Sequence, residues 1–527
     1  MKTNRLSTHW QQLPERTIRQ LQAAQLHRYL RDVVLPFSPH YREMFARLQL
    51  NADSIRSLAD LRKLPFTTKA DLLNTPDHPQ RAREFIVVPD ERVLRRRPST
   101  ILRALFLGHD AVKRHFESEF RPIFMTSTTG RSADPIPFLF TQHDLSHLAV
   151  TGRRLFEVCG AQRELKLLNM FPYAPHLAFW QAFYGGTEFG VLTLSSGGGK
   201  VMGTEGQLRF IKKLKPDILI GMPTFTYHVL HQAAEEGVRW ENLRRIVLGG
   251  EKVPEGMRRK LSLLAAELGS PKMDIVTTYG FTEAKMAWAE CPTPAEAEPS
   301  GYHLYPDLGI VEVVDPKTGE PVPDGQPGEI VFTPLDTRGT VVLRYRTGDF
   351  IDGGLTFGPC PHCGRCAPRL VGRISRSAEV KEMQLDKIKG TLVDFNQLEH
   401  VLDDAPQVGA WQLELRKLHD DPLELDELIL HVQKTNGADP VHLSHDLSNR
   451  IAALAEIRPN RIVFHSAEEM RDLQGVGVQL KELKVVDHRP KLSAQAVTPA
   501  SGAVPLPGPL AAAAGCSANA VKLEEAA

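Results

Sequence analysis

Hydrophobic and polar positions fall into distinct regimes along the chain. Over residues of about 11–35, Ile18, Leu21, Leu26, Leu30 and Val34 recur at helical spacing and predict an amphipathic helix. From about residue 164, short apolar stretches (KLLNMF, GVLTL, DILIGMP, RRIVLGG, MDIVTTYG) alternate with amphipathic segments such as TEGQLRFIKKLK and PEGMRRKLSLLAAEL. This alternation predicts a largely parallel sheet covered by helices, whose ligand sites form at the carboxyl ends of the strands. Between 301 and 372 a turn cluster, DPKTGEPVPDGQPGE, separates the β-rich runs GIVEVV, EIVFT and TVVLRYR, which predicts an antiparallel subdomain. Beyond 373 the order is helix (FNQLEHVL), strand (AWQLELRKL), strand (ELILHVQ), helix (HLSHDLSNRIAALAEI) and strand (RIVFHS). That order suits a small α+β domain. The expected fold is therefore α/β: a large N-terminal domain, 1–372, with mainly parallel sheets and a β-rich subdomain at 301–372, then a small, mobile α+β C-terminal domain, 373–490. Residues 491–527, rich in Ala, Pro, Ser and Gly without period, read as a disordered tail.

Composition narrows the function classes. A chain of 527 residues exceeds what one core requires, and 42% hydrophobic with 24% charged residues is ordinary for a globular enzyme. Lys+Arg 64 against Asp+Glu 63 leaves a formal charge of +1, so no global basic field attracts nucleic acid or an anionic membrane. No apolar run reaches the ~18–20 residues of a spanning helix. The first residues, MKTNRLSTHWQQLPERTIRQ, lack an apolar core of the signal-peptide kind, and we expect a cytoplasmic protein. Three of the six cysteines lie within PCPHCGRC (359–366), which in a long chain of a reducing compartment reads as a metal site rather than a disulfide framework.

Three short segments carry candidate chemistry. TSTTGR (126–131) offers hydroxyls and backbone N–H groups able to surround phosphate oxygens, although Ser/Thr/Gly clusters are more often plain loops. It is not a Walker A loop, since GxxxxGK[ST] is absent. TTYGFTEA (277–284) follows an apolar run. In it Glu283 suits a hard cation such as Mg²⁺ and Tyr279 suits stacking on a flat ring, against the plainer reading of a capped strand-to-helix turn. YRTGDF (345–350) ends a β-run on Asp349, an acceptor for ribose hydroxyls or for its own backbone turn.

In this order and spacing, the segments resemble the adenylate-forming superfamily of acyl-CoA synthetases, specifically its phenylacetate–CoA ligase branch. LRKLPFTTKADL (61–72), GGEKVPEGMRRKL (249–261), GYHLYPDLGIVEVVDPKTGEPVPDGQPGEIVFT (301–333), LRYRTGDF (343–350), KIKGTLVDFNQLE (387–399) and LKELKVVDHR (480–489) extend the resemblance over about residues 12–490. The resemblance implies that Thr128, Thr129 and Gly130 contact ATP phosphates. Gly250 and Glu251 would lie near the adenine, and Tyr279 would stack on it. Thr282 would approach the α-phosphate, Glu283 bind Mg²⁺ and Asp349 hold the ribose. Arg373 would sit near the nucleotide at the domain junction, and Lys481 beside the reacting carboxylate. Ser127 stands where the branch has Gly, Arg131 where it has the loop Lys, and Lys484 where it has Arg. The stretch GRISRSAEVKEMQLDKIKG lacks the usual acidic pair after Gly-Arg, so the hinge residue is unassigned.

Cys360-x₂-Cys363 forms a two-ligand knuckle of the kind found in zinc sites, which Cys291 with His303 would complete as Cys₃His, against the plainer reading of a Cys-rich turn without metal. Cys366 or His362 is the rival ligand. Such a zinc would be structural, because four protein ligands leave no open position. FPYAPHLAFWQAFYGG (171–186) corresponds in the resemblance to a helix lining the acid pocket. Its Tyr173, His176 and Trp180, with Phe179 and Tyr184, would shape an aryl-binding wall, although at helical spacing such residues are more often core. The expected reaction is ATP-dependent activation of an aromatic or arylacetic acid as its acyl-adenylate, followed by transfer to CoA or a carrier-protein thiol. The partners would be a small-molecule acid and an acyl-carrier or acyl-transfer protein, in a monomer or an oligomer. The rival class is a catalytically weakened nucleotide-binding scaffold that recruits a partner.

Overall fold

The computed structural model describes residues 9–128, 135–294, 297–376, 385–388, 391–417, 426–435, 437–455, 458–479 and 482–489. The tail at 491–527 lies outside these residues. At the centre is a nine-stranded sheet. Leu192–Ser195, Lys166–Asn169, Ile218–Gly221, Arg245–Leu248 and Asp274–Phe281 run parallel side by side, as the buried apolar runs predicted. Ile218–Gly221 and Arg245–Leu248 are buried along their whole length, because helices cover both faces. The sheet then continues antiparallel through Met286–Ala289, Tyr302–His303, Arg369–Leu370 and Leu355–Thr356.

A four-stranded antiparallel sheet, Gly309–Val314, Gly328–Pro334, Tyr345–Ile351 and Ile374–Arg376, accounts for the middle of the β-rich stretch. The stretch is thus shared between two sheets, since its first and last short strands join the central one. A hairpin, Pro122–Ser127 with Pro137–Thr141, leads into the helix Gln142–Val158. This helix crosses Leu177–Phe189 at Gly152 and Gly185. A Cβ on Gly152 would stand 2.5 Å from the Gly185 Cα, so only glycine permits the approach. The first helix begins at Glu15, after Pro14, and runs on through a wider turn at Leu30–Val34.

The C-terminal order is as expected: Phe395–Asp403, Val408–Lys417, Asp426–Lys434, Pro440–Ala455 and Arg461–His465. The helix Ala467–Leu473 follows, and Val485–Asp487 adds a parallel edge strand beside Leu413–Leu415. No helix among the described residues is long and apolar enough to cross a membrane.

A buried ion pair fixes the turn that follows the strand Asp274–Phe281. Lys285 adopts a left-handed φ of 57° and sends its ammonium to Asp144 Oδ2 (3.0 Å) and to the carbonyls of Leu139 (2.6 Å) and Arg338 (3.3 Å). Lys285 is 5% and Asp144 2% exposed, so each charge depends on the other. Lys285→Met should therefore cost about 3 kcal/mol by stranding the Asp144 carboxylate, measured by urea denaturation.

Candidate functional site

Of the residues singled out by the sequence, Gly250, Glu251, Tyr279, Thr282 and Glu283 lie at or just past the carboxyl ends of parallel strands. After Arg245–Leu248 the chain turns at Gly250, whose φ of 83° suits glycine, and presents Glu251. Glu251 accepts from the Thr224 backbone N–H (3.2 Å) and hydroxyl (2.9 Å) at the start of the helix Pro223–Glu235. From the last parallel strand, Tyr279 is half-buried, with its ring 6.0 Å from Trp288 and 5.8 Å from Tyr302. Its hydroxyl donates to Asp349 Oδ2 at 2.8 Å, joining two motifs from different sheets. Thr282 and Glu283 occupy the short turn Thr282–Ala284, where Tyr345 donates to Glu283 Oε1 at 2.7 Å.

Thr128 stands at the base of the loop closing the Pro122–Thr141 hairpin, where its hydroxyl accepts from Ile136 N (3.0 Å). Thr129, Gly130 and Arg131 lie outside the described residues, as does Lys481. Arg373 is largely exposed, and its Nε donates to Asp352 Oδ2 at 3.2 Å. Lys484 turns toward the helix Phe395–Asp403, 3.1 Å from Glu399 Oε1 and 3.2 Å from Asp403 Oδ2, above the Trp411 ring. Glu482, directly after Lys481, lines a crevice with Met170, Pro172, Met222 and Phe225. Burial and the nearby Glu251 carboxylate push the Glu482 carboxyl well above the usual range.

The candidate acid-binding residues form one aromatic group. Tyr173 lies 5.3 Å from Phe179 and 5.7 Å from Trp180, and Trp180 in turn lies 6.4 Å from Tyr184. His176 Nδ1 is 3.1 Å from the Ser127 carbonyl, which ties this group to the base of the hairpin loop. His176 Nε2 is buried with no hydrogen-bond partner among the described residues. Sequence reasoning passed over Tyr345 and Thr224. Tyr345 opens the YRTGD segment and was detectable there as an aromatic hydroxyl, whereas nothing local marks Thr224.

Cys291, His303, Cys360 and Cys363 bring their donor atoms within 4.8 Å of one another. The Cys291 and Cys360 sulfurs are 3.7 Å apart, and Cys363 Sγ is 3.6 Å from His303 Nε2. A tetrahedral ion with bonds of about 2.3 Å to sulfur and about 2.0 Å to nitrogen separates its ligands by roughly 3.5–3.8 Å. Burial opposes ionisation of Cys360, yet contacts with His303 and Ser300 hold its thiol down at about 6. His362 instead contacts the Glu298 carbonyl, and Cys366 is not part of the cluster.

The AMP-binding enzyme family matches residues 141–334, spanning the helix after the hairpin, the parallel strands and the Glu283 turn. These residues carry an AMP-binding enzyme domain. With the relatives below, this supports an AMP-forming acid–CoA ligase, similar in sequence to phenylacetate–CoA ligases. It is 26% identical over 466 residues to phenylacetate-coenzyme A ligase of Aromatoleum evansii, covering 86% of this chain and 90% of that one. It is 28% identical over 453 residues to the Thermus thermophilus enzyme of the same name, covering 84% and 90%. The fold matches that of a 2-hydroxyisobutyryl-CoA ligase bound to an acyl-adenylate, with a TM-score of 0.68, 19% identity and 92% of each chain covered.

The Tyr279–Asp349 bond holds a ring and a carboxylate in one geometry. Tyr279→Phe removes one hydrogen bond to a charged group, of a kind worth about 1.5–3 kcal/mol, of which only part bears on ATP binding. The KM for ATP should rise roughly fivefold with kcat little changed, as steady-state kinetics would record.

Proposed function

We propose that this enzyme activates an aromatic or arylacetic acid as its acyl-adenylate and passes the acyl group to CoA. The observation that carries the substrate class is the aromatic group Tyr173–Phe179–Trp180–Tyr184, tied through His176 to the loop whose sequence suits phosphates. The names of the curated relatives support the same acid and acceptor.

In the proposed mechanism Tyr279 stacks on the adenine beside Gly250 and Glu251, and Asp349 accepts from the ribose hydroxyls. Thr128, Thr129 and Gly130 donate to the phosphates, and Thr282 approaches the α-phosphate. The acid carboxylate must attack the α-phosphorus although both are anionic, and Lys481 offsets that repulsion. Mg²⁺ held by Glu283 would neutralise phosphate charge; the carboxylate fits this role because Tyr345 orients it and leaves it half-buried. Trp180 and its neighbours hold the ring of the acid and exclude water, which would hydrolyse the mixed anhydride. Arg373 belongs to the domain junction in this reading.

A structural zinc ion on Cys291, His303, Cys360 and Cys363 completes the proposal. The ligand spacings fit it, and it would pin the Cys-rich loop to the antiparallel edge of the central sheet. A reducing cytoplasm suits the five free cysteines among the described residues.

The test is a panel of aromatic, arylacetic and aliphatic acids with ATP and CoA, the products identified by mass. Aryl- or arylacetyl-CoA with stoichiometric AMP is expected. Adenylate formed without CoA thioester would redirect the second step to a carrier-protein thiol, and turnover restricted to aliphatic acids would refute the aryl assignment.

A further inference from the structure

Among residues assigned neither to the nucleotide nor to the cysteine cluster, another set of donor atoms converges. The helix Gln142–Val158 carries His143 and His147 one turn apart, so both imidazoles stand on one face with ring centres 4.3 Å apart. Asp336, just beyond the strand Gly328–Pro334, faces them. Its Oδ2 is 3.3 Å from His143 Nε2 and 3.6 Å from His147 Nε2, and the three donor atoms lie within 4.8 Å of one another.

The carboxylate is held from behind. Arg338 Nη1 donates to Asp336 Oδ1 at 2.9 Å, which leaves Oδ2 turned toward the imidazoles. Arg338 is itself fixed by Glu119 (2.8 Å) and, through its backbone N–H, by Asp144 Oδ1 (2.8 Å). His143 Nε2 also lies 2.9 Å from the Asp336 carbonyl, while His147 Nε2 has no hydrogen bond among the described residues.

We infer that His143, His147 and Asp336 form a second metal site, one that takes a divalent transition ion of the zinc, cobalt or nickel kind. Bonds of about 2.0–2.2 Å to imidazole nitrogen and carboxylate oxygen separate ligand atoms by roughly 3.0–3.6 Å, which matches the two spacings from Asp336 to the imidazoles. Two imidazoles with one carboxylate suit borderline ions; Mg²⁺ and Ca²⁺ take all-oxygen sets, and softer ions take thiolates. The three side chains are 25–34% exposed, so an ion enters from solvent and keeps water in its remaining positions. Binding moves the His143 ring proton to Nδ1 and ties the helix to the segment carrying Arg338, the same segment that receives Lys285.

Equilibrium dialysis of tag-free protein, its cysteine cluster as purified, against Ni²⁺ tests the inference. Wild type should retain one Ni²⁺ per chain more than the His143→Ala/His147→Ala double variant. Each single variant, and Asp336→Asn, should bind that ion at least about tenfold more weakly. Zn²⁺ should compete and excess Mg²⁺ should not, and Cys363→Ser should keep the site. His147→Asn leaves the Arg338–Asp336 pair intact and guards against misfolding: Ni²⁺ should raise the melting temperature of wild type and not of this variant. Equal Ni²⁺ retention by wild type and the double variant, or an equal Ni²⁺-induced melting shift in His147→Asn, would overturn it.

Discussion

Lys481→Ala should lose adenylation by roughly 10²–10³-fold while retaining most of its thiol-transfer rate from preformed acyl-adenylate. The first step brings two anions together, and a positive charge placed between them stabilises the transition state by about 3–4 kcal/mol in a dry site. The second step displaces AMP with a neutral or thiolate nucleophile and makes no such demand. The neighbouring Glu482 lies close to Glu251, just past the strand Arg245–Leu248. Lys484 is the control for register. Its ammonium is held by Glu399 and Asp403 of the helix Phe395–Asp403, so Lys484→Ala should lower the melting temperature and spare adenylation. Single-turnover assays of each half-reaction decide between them. Loss of adenylation in Lys484→Ala alone would shift the catalytic lysine, and equal loss of both half-reactions in Lys481→Ala would count against the division of labour.

The second large effect is on the cysteine cluster. Protein purified without chelator should contain about one zinc per chain, bound by Cys291, His303, Cys360 and Cys363 in addition to any ion at the histidine pair. Cys363→Ser should lose that zinc and melt roughly 5 °C or more below wild type, because the binding free energy of a closed four-ligand site is also folding free energy. The cluster joins the Cys-rich loop to His303 on a two-residue strand, Tyr302–His303, that has little ladder of its own. Metal analysis and calorimetry check this. Wild type without zinc, or Cys363→Ser with wild-type zinc and melting, would refute the site.

The parts of this molecule legible in its sequence are those whose physics is local. Strands such as Ile218–Gly221 announce themselves because a strand buried on both faces must be apolar throughout. Cys360 and Cys363 were legible by spacing. Two-residue strands such as Leu355–Thr356 and Arg369–Leu370 carry no period, so their membership of the central sheet could not be read. Long-range pairs were equally hidden. The Tyr345–Glu283 and Tyr279–Asp349 bonds each join motifs visible separately, and only the packing of two sheets reveals that they touch. His143 and His147 show helical spacing, but nothing near them in the chain points to Asp336.

The central claim is that the gathered residues form an acyl-adenylate site, and acid-dependent ATP–pyrophosphate exchange tests it most directly. With Mg²⁺ and no CoA, arylacetic or aromatic acids should drive exchange, and Lys481→Ala should reduce it by the factor given above. Exchange absent with every carboxylic acid offered, from protein that still binds ATP, would contradict the account and leave a nucleotide-binding scaffold in its place.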